Sequence, residues 1–170
     1  TGSGSAFGLG AIVEPDGKRN WKILTSSGLS RSIPPKDIRH RVPKGRVSTT
    51  TQSQAEADIA SHEDAAADAL AHDKASQGAD RISVWEMLVE DGGESETDLE
   101  TLAELIVGDA SSRACYAARA VLMLGVESCC FKEGRGGNMF VPRPLDIVEA
   151  LRSKARAEAE VEAKSEAIRE

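Results

Sequence analysis

Between Ser48 and Gly78 the chain offers only two large apolar side chains, Ile59 and Leu70, in a run dominated by Ser, Thr, Gln, Ala, Asp and Glu. A stretch so poor in apolar surface cannot offset its ordering entropy by burial, so it is expected to be a mobile, acidic, low-complexity linker. Its alanines allow a short helix around 55–71, but nothing in it asks for packing. The apolar material is thereby confined to two regions, about 7–47 and 80–151. In a chain of 170 residues each of these is a small module with a modest core.

Charge follows the same division. Residues 1–47 carry nine Lys and Arg against Glu14, Asp16 and Asp37, a net of +6. Residues 48–80 come to −6 and residues 81–110 to −8, so the overall −7 hides a basic head on an acidic body. No run of 18 apolar residues occurs, which excludes a transmembrane helix. The opening Thr1-Gly2-Ser3-Gly4-Ser5 has neither the basic nor the apolar part of a secretory signal. A start without Met and a last helix that runs uncapped to Glu170 are read as a trimmed or excerpted chain. Cys115, Cys129 and Cys130 are odd in number and lack metal spacing, so they are expected as reduced, buried thiols.

The basic head alternates short apolar runs with turn signals. Strands are expected at Gly10–Glu14, Asn20–Thr25, Leu29–Ile33 and Arg39–Val42, with Pro15-Asp16-Gly17 and Ser27-Gly28 as turns and Pro34–Ile38 as a one-turn helical connector. Four or five short strands in so few residues make a small twisted barrel. Trp21 fits the core plug of such a barrel, and it also fits a surface on which a base stacks. The cations fall in turns and strand ends, where a phosphate backbone or solvent can face them.

In the second region Ile82, Trp85, Leu88 and Val89 mark an amphipathic helix stopped at Gly92-Gly93. Thr97 and Glu100 fit a capping box opening a helix with Leu99, Leu102, Ala103 and Ile106 inside, ended by Gly108. Ser111 or Ser112 caps a third helix with Ala114, Ala118, Val121 and Leu122 inside. Ser128–Lys132 and Asn138–Val141 then form a hairpin around the loop Glu133–Gly137. Three helices followed by a hairpin is the order of a winged helix. Its third helix would present Arg113, Tyr116, Arg119 and Met123, with Arg135 on the wing, but the nine acids of residues 81–110 oppose a duplex. Val148, Leu151 and Ala155 start a final helix that becomes purely Ala, Glu, Lys and Arg. No catalytic centre is expected: His40, His62 and His72 lie apart, no GxSxG or P-loop occurs, and Gly134–Gly137 reads as a hinge.

The head reading Gly10-x-Ile12-Val13, Asp16-Gly17-Lys18-x-Asn20-Trp21 and Ile33-Pro34-Pro35-Lys36-Asp37-Ile38 resembles the N-terminal extension of ribonuclease II/R-type exoribonucleases of cyanobacteria and plastids. Trp85–Glu90, Leu102–Ile106, Cys115–Ala118, Phe131-Lys132 and Pro142-Arg143-Pro144 are similar, in the same order, to that family's winged-helix segment. The resemblance implies degradation of RNA from the 3′ end by a magnesium-dependent RNB domain outside this chain, with no cofactor bound here.

The expected fold class is therefore α+β: a small N-terminal β-barrel (KOW- or Tudor-like) at 7–47, a disordered acidic linker at 48–79, a winged helix at 80–145 and a solvated connecting helix at 146–170. The expected function is RNA binding and positioning for a 3′-to-5′ exoribonuclease. Single-stranded RNA is the expected partner, through Lys18, Arg19, Trp21, Lys22, Arg31, Lys36, Arg39 and Arg41, with Arg119 and Arg135 from the second module. The alternative is a protein-docking module, using the acidic winged helix, that does not itself bind RNA. The expected location is a plastid or a bacterial cytoplasm.

Overall fold

A computed structural model describes residues 8–45, 51–92, 95–126 and 128–169. Residue 7, residues 46–50, Gly93 and Glu170, which the expected boundaries and helix stops include, lie outside the described residues. The basic head is an antiparallel meander of β1 (Ala11–Asp16), β2 (Asn20–Leu24) and β3 (Ser30–Ile33). Gly17, at φ +70°, makes the turn into β2. Asp16 pairs with Asn20 and Ala11 with Leu24, and a register shift between Ile12 and Glu14 sets Val13 aside as a bulge. Pro34 in extended conformation leads into a 3₁₀ turn, Pro35–Asp37, whose φ the proline ring presets.

The fourth strand expected at Arg39–Val42 does not form. That segment spends its contacts elsewhere: the Arg41 carbonyl accepts from Asn138 Nδ2 at 2.8 Å, Val42 packs against the core of the second unit, and Lys44 pairs with Glu100 at 3.0 Å. The chain leaving the head is thus a strap across the second unit.

The expected disordered linker is instead α1 (Gln52–Ala75), a helix of 24 residues. Thr51 caps it, its hydroxyl accepting from the Gln54 amide at 3.2 Å. Ala55 and Ile59 bury against Ala11 and Leu24 of the sheet, and Ser26 donates to Glu63 at 3.2 Å. Further along, α1 lies on α4 (Ser112–Leu124) through small side chains, with His62 Nε2 at 2.9 Å from Ser112 Oγ and Arg113 donating to Ser61 at 2.9 Å. The composition argument fails here for a physical reason. Alanine-faced helices bury backbone and Cβ surface by close approach, and that approach needs no large apolar side chain.

At the end of α1, Asp73 and Arg81 form a pair that is 4% and 1% exposed. The guanidinium reaches Asp73 through Nε at 3.3 Å and Nη2 at 3.4 Å, and also donates to the Val126 carbonyl. Asp73 Oδ2 accepts from the Val126 amide at 2.7 Å. Gly78, at φ +74°, has no Cβ to meet Arg81 Nη2, which would lie 2.6 Å away.

The winged helix follows in the expected order: α2 (Ala79–Glu90), β4 (Thr97–Asp98), α3 (Leu99–Val107), α4, β5 (Phe131–Glu133) and β6 (Met139–Pro142). The strand order is β4-β6-β5, with Thr97 opposite Phe140 and Glu133 also opposite Phe140. The stripes read from the sequence meet in one core around Trp85, Leu99, Leu102, Leu122 and Phe140, and Trp85 Nε1 donates to the Arg143 carbonyl at 2.8 Å. The cap of α3 is Asp98, not Thr97: its carboxylate accepts from the Thr101 amide at 2.9 Å, while Thr97 is used as a strand residue. Ser111 caps α4. All three cysteines are free, with Cys115 and Cys130 buried, and burial pushes both of those thiols up from their ordinary values. In α5 (Leu145–Arg169), Val148 is buried and every side chain from 153 to 168 is exposed, with Lys154 and Glu158 paired at 3.9 Å.

Removing one partner of the Asp73–Arg81 pair strands a buried charge. Asp73→Ala is expected to lower unfolding free energy by about 3–5 kcal/mol, and the joint change Asp73→Leu with Arg81→Met by clearly less. Urea denaturation of the two variants measures both, and equal losses would overturn this account of the pair.

Candidate nucleic-acid interface

The faces available to a nucleic acid are set by what α1 covers. In a duplex-reading winged helix the third helix enters the major groove. Here Arg113 of α4 donates to Ser61 of α1, and the Tyr116 ring faces His62 with centroids 6.5 Å apart. Arg119, expected to face RNA, is turned inward: its side chain is 17% exposed, Nη2 pairs with Glu133 at 2.7 Å, and Nε donates to the Gly137 carbonyl at 3.2 Å. Of the four residues expected on that face, Arg113 and Met123 are exposed, while Tyr116 and Arg119 are partly buried. The helix that would read DNA is packed along much of its length against α1, with Arg113, Met123 and Leu124 left exposed.

An open cleft of about 410 Å³ lies instead between the basic head and the wing. Trp21, Pro35 and Ile38 line it from the meander and its 3₁₀ turn, Arg39, His40 and Arg41 from the strap, and Gly136 and Asn138 from the wing. Trp21 is half-buried and stands opposite Ile33 and Pro15 in the sheet, so it is neither a closed core plug nor a free surface ring.

The wing tip reaches the strap because Gly136 and Gly137 both take positive φ, at +78° and +74°. A Cβ on Gly137 would lie 2.6 Å from His40 Cβ and 3.4 Å from the Arg39 carbonyl. Burial lowers the His40 imidazole from 6.5 to about 4, the nearby Arg119 charge adds to the shift, and Glu133 opposes it. Two polar atoms of the cleft residues, His40 Nε2 and Asn138 Oδ1, are buried with no hydrogen-bond partner among the described residues.

Of the residues expected to contact RNA, the cleft gathers Trp21, Arg39 and Arg41, and Arg135 is exposed on the tip beside Gly136. Lys18 and Arg19 are exposed in the β1–β2 turn, Arg31 on β3 and Lys36 in the 3₁₀ turn. Lys22 is paired with Glu14 at 3.1 Å. His40 and Asn138 were missed. An Asn closing a glycine-rich loop is the one sequence cue to the second, and the first has none.

Residues 74–147 match the family model of the ribonuclease II winged helix domain, and residues 2–52 match that of the CSD-like barrel domain of ribonuclease II. These two matches mark a ribonuclease II-family region. A ribonuclease of Synechocystis sp. described as uncharacterized is 27% identical to this chain over 154 residues, covering 91% of the chain and 20% of the relative. The chain thus spans about a fifth of that relative's length. No solved structure matches it significantly. Residues 53–73, the body of α1, fall outside both family models.

The folded His40 value lies below the unfolded one. Between about pH 6.5 and about pH 4 the unfolded chain therefore binds a proton that the folded chain refuses, so stability present above that window is lost as pH falls through it. At this partly open site the loss is on the order of 1 kcal/mol after allowing for solvent screening. Urea unfolding at both ends of the window should show a steeper pH dependence in the wild type than in His40→Gln. Identical slopes would show that His40 is not the titrating group.

Proposed function

We propose that this chain is the RNA-binding and RNA-positioning part of a 3′-to-5′ exoribonuclease of the ribonuclease II family. Hydrolysis takes place in a magnesium-dependent domain outside the chain. The observation that carries the reading is the cleft between head and wing, where Arg39, Arg41 and Trp21 come together beside Arg135 while part of the duplex-reading face of α4 is engaged by α1. A strand threaded there meets cations for its phosphates and an aromatic ring for a base, which is the combination that single-stranded nucleic acid uses. Lys18, Arg19, Arg31 and Lys36 extend the positive field around the head.

The magnesium is assigned outside the chain by the resemblance to ribonuclease II-type enzymes, whose metal sits in the RNB domain. The location proposed is a plastid or a bacterial cytoplasm. The supporting fact is the cyanobacterial relative.

A mobility-shift titration with 5′-labelled single-stranded RNA and magnesium tests the reading. Affinity should fall with a log–log salt slope of about −3, as roughly four phosphate contacts require at about 0.7 each, and the RNA should not be shortened. Reversing Arg41 and Arg135 to Glu should weaken the shift at least about tenfold, and reversing Lys18 and Arg19 should weaken it less. Binding indifferent to salt and to those reversals would transfer the role to protein docking through the acidic helices, and shortening that survives repurification would place a catalytic centre inside this chain.

A further inference from the structure

Asn138 stands at the junction of wing and strap with only half of its amide used. A carbonyl accepts only from a donor, so the bond from Nδ2 to the Arg41 carbonyl at 2.8 Å fixes which way the amide points. Oδ1 is therefore left as a pure acceptor, buried and without a partner among the described residues. His40 Nε2 is in the same condition, on an imidazole that stays neutral at neutral pH. Buried polar atoms are nearly always satisfied, and two that are not, both on residues lining the same cleft, mark a site whose complement is missing. The wall is built to hold them there. Gly137 brings the tip against His40, and Arg119 pins that tip by holding Glu133 and the Gly137 carbonyl.

We propose that this cleft is a subsite for one unpaired nucleotide whose base carries an exocyclic amine, adenine or cytosine rather than uracil, stacked on Trp21 and held at its edge by Asn138 Oδ1 and His40 Nε2. The subsite rests on the RNA-binding reading above and adds base selection to it. A recessed acceptor is reached by a donor that projects, as the amine at N6 of adenine or N4 of cytosine does. The only edge donor of uracil, N3–H, lies between two projecting carbonyls, and one of these would be driven against Oδ1. His40 complements the neighbouring ring nitrogen by donating from Nε2, the tautomer the pairing requires. Stacking on Trp21 tolerates every base, so selection comes from the edge, and Arg39 and Arg41 hold the flanking phosphates.

Cytosine and uracil stack alike and differ at the edge, so they make the decisive comparison. The whole chain is titrated with oligocytidylate and oligouridylate of equal length, following both affinity and tryptophan fluorescence. Trp85 is buried, and Trp21→Phe identifies the Trp21 signal. The expected result is a several-fold preference for oligocytidylate with quenching of Trp21, and near-equal affinities in Asn138→Ala, whose fold is checked by its circular dichroism. Equal affinity of the wild type for the two, a preference without quenching of Trp21, or a preference that survives in folded Asn138→Ala each overturns the subsite and leaves RNA binding standing. Binding of neither oligonucleotide overturns the RNA-binding reading itself.

Discussion

A carboxylate and a guanidinium shut away from water at the turn between α1 and α2 hold the two halves of this molecule in register. Asp73 and Arg81 are each other's counter-charge, and both reach the backbone of Val126, one accepting from its amide and the other donating to its carbonyl. Burying two such charges is costly, and the arrangement is tolerable because nearly every donor and lone pair finds a partner. Its geometric effect exceeds its net energy. It fixes where α1 ends relative to the segment after α4, and so forces the length of α1 to lie along α4. The absence of a Cβ at Gly78 and Gly125 is part of the same device, since a Cβ on Gly125 would lie 2.7 Å from Asp73 Oδ2.

From that constraint the usable surfaces follow. With α1 on α4, part of the face a winged helix turns toward a major groove is occupied from within the chain, and the acidic stretches 48–80 and 81–110 make the helical side hostile to phosphate. The cations of the head lie at the other end of α1, where the sheet rests on Ala55 and Ile59. A polyanion is repelled from one flank and drawn to the other, and the cleft beside the wing is where the attractive flank has walls. The winged helix here is a scaffold that carries a wing, and the wing is what it contributes to the site.

How much of this was legible depends on which forces write themselves into local sequence. The stripes of α2, α3 and α4 were readable because large apolar residues recur at the helical period and have one core to enter, and Gly108 ends α3 at φ +88° as a left-handed stop should. The helix α1 was not readable, because its packing rests on two alanines, a single isoleucine and one ion pair whose second member lies outside it. Thr97 matched a capping box, yet pairing with Phe140 in the sheet claimed it and passed the cap to Asp98 one residue on. Arg39–Val42 has strand composition, but its partners are 97 residues away on the wing and not beside it in the meander.

The candidate site is the sharpest case of the same limit. Its cations were visible as a charge excess, and Trp21 as a ring with two roles, because both are properties of single residues. His40 and Asn138 acquire meaning only when the strap crosses the wing, and that crossing depends on two successive glycines adopting a backbone that other residues resist. A glycine-rich loop reads as slack in a sequence. Here it is what lets the tip close against His40, where burial lowers the imidazole pKa and leaves His40 Nε2 and Asn138 Oδ1 without hydrogen-bond partners among the described residues. Flexibility in the unfolded chain and close approach in the folded one are the same property of glycine, and only the tertiary contact shows which of the two the loop is for.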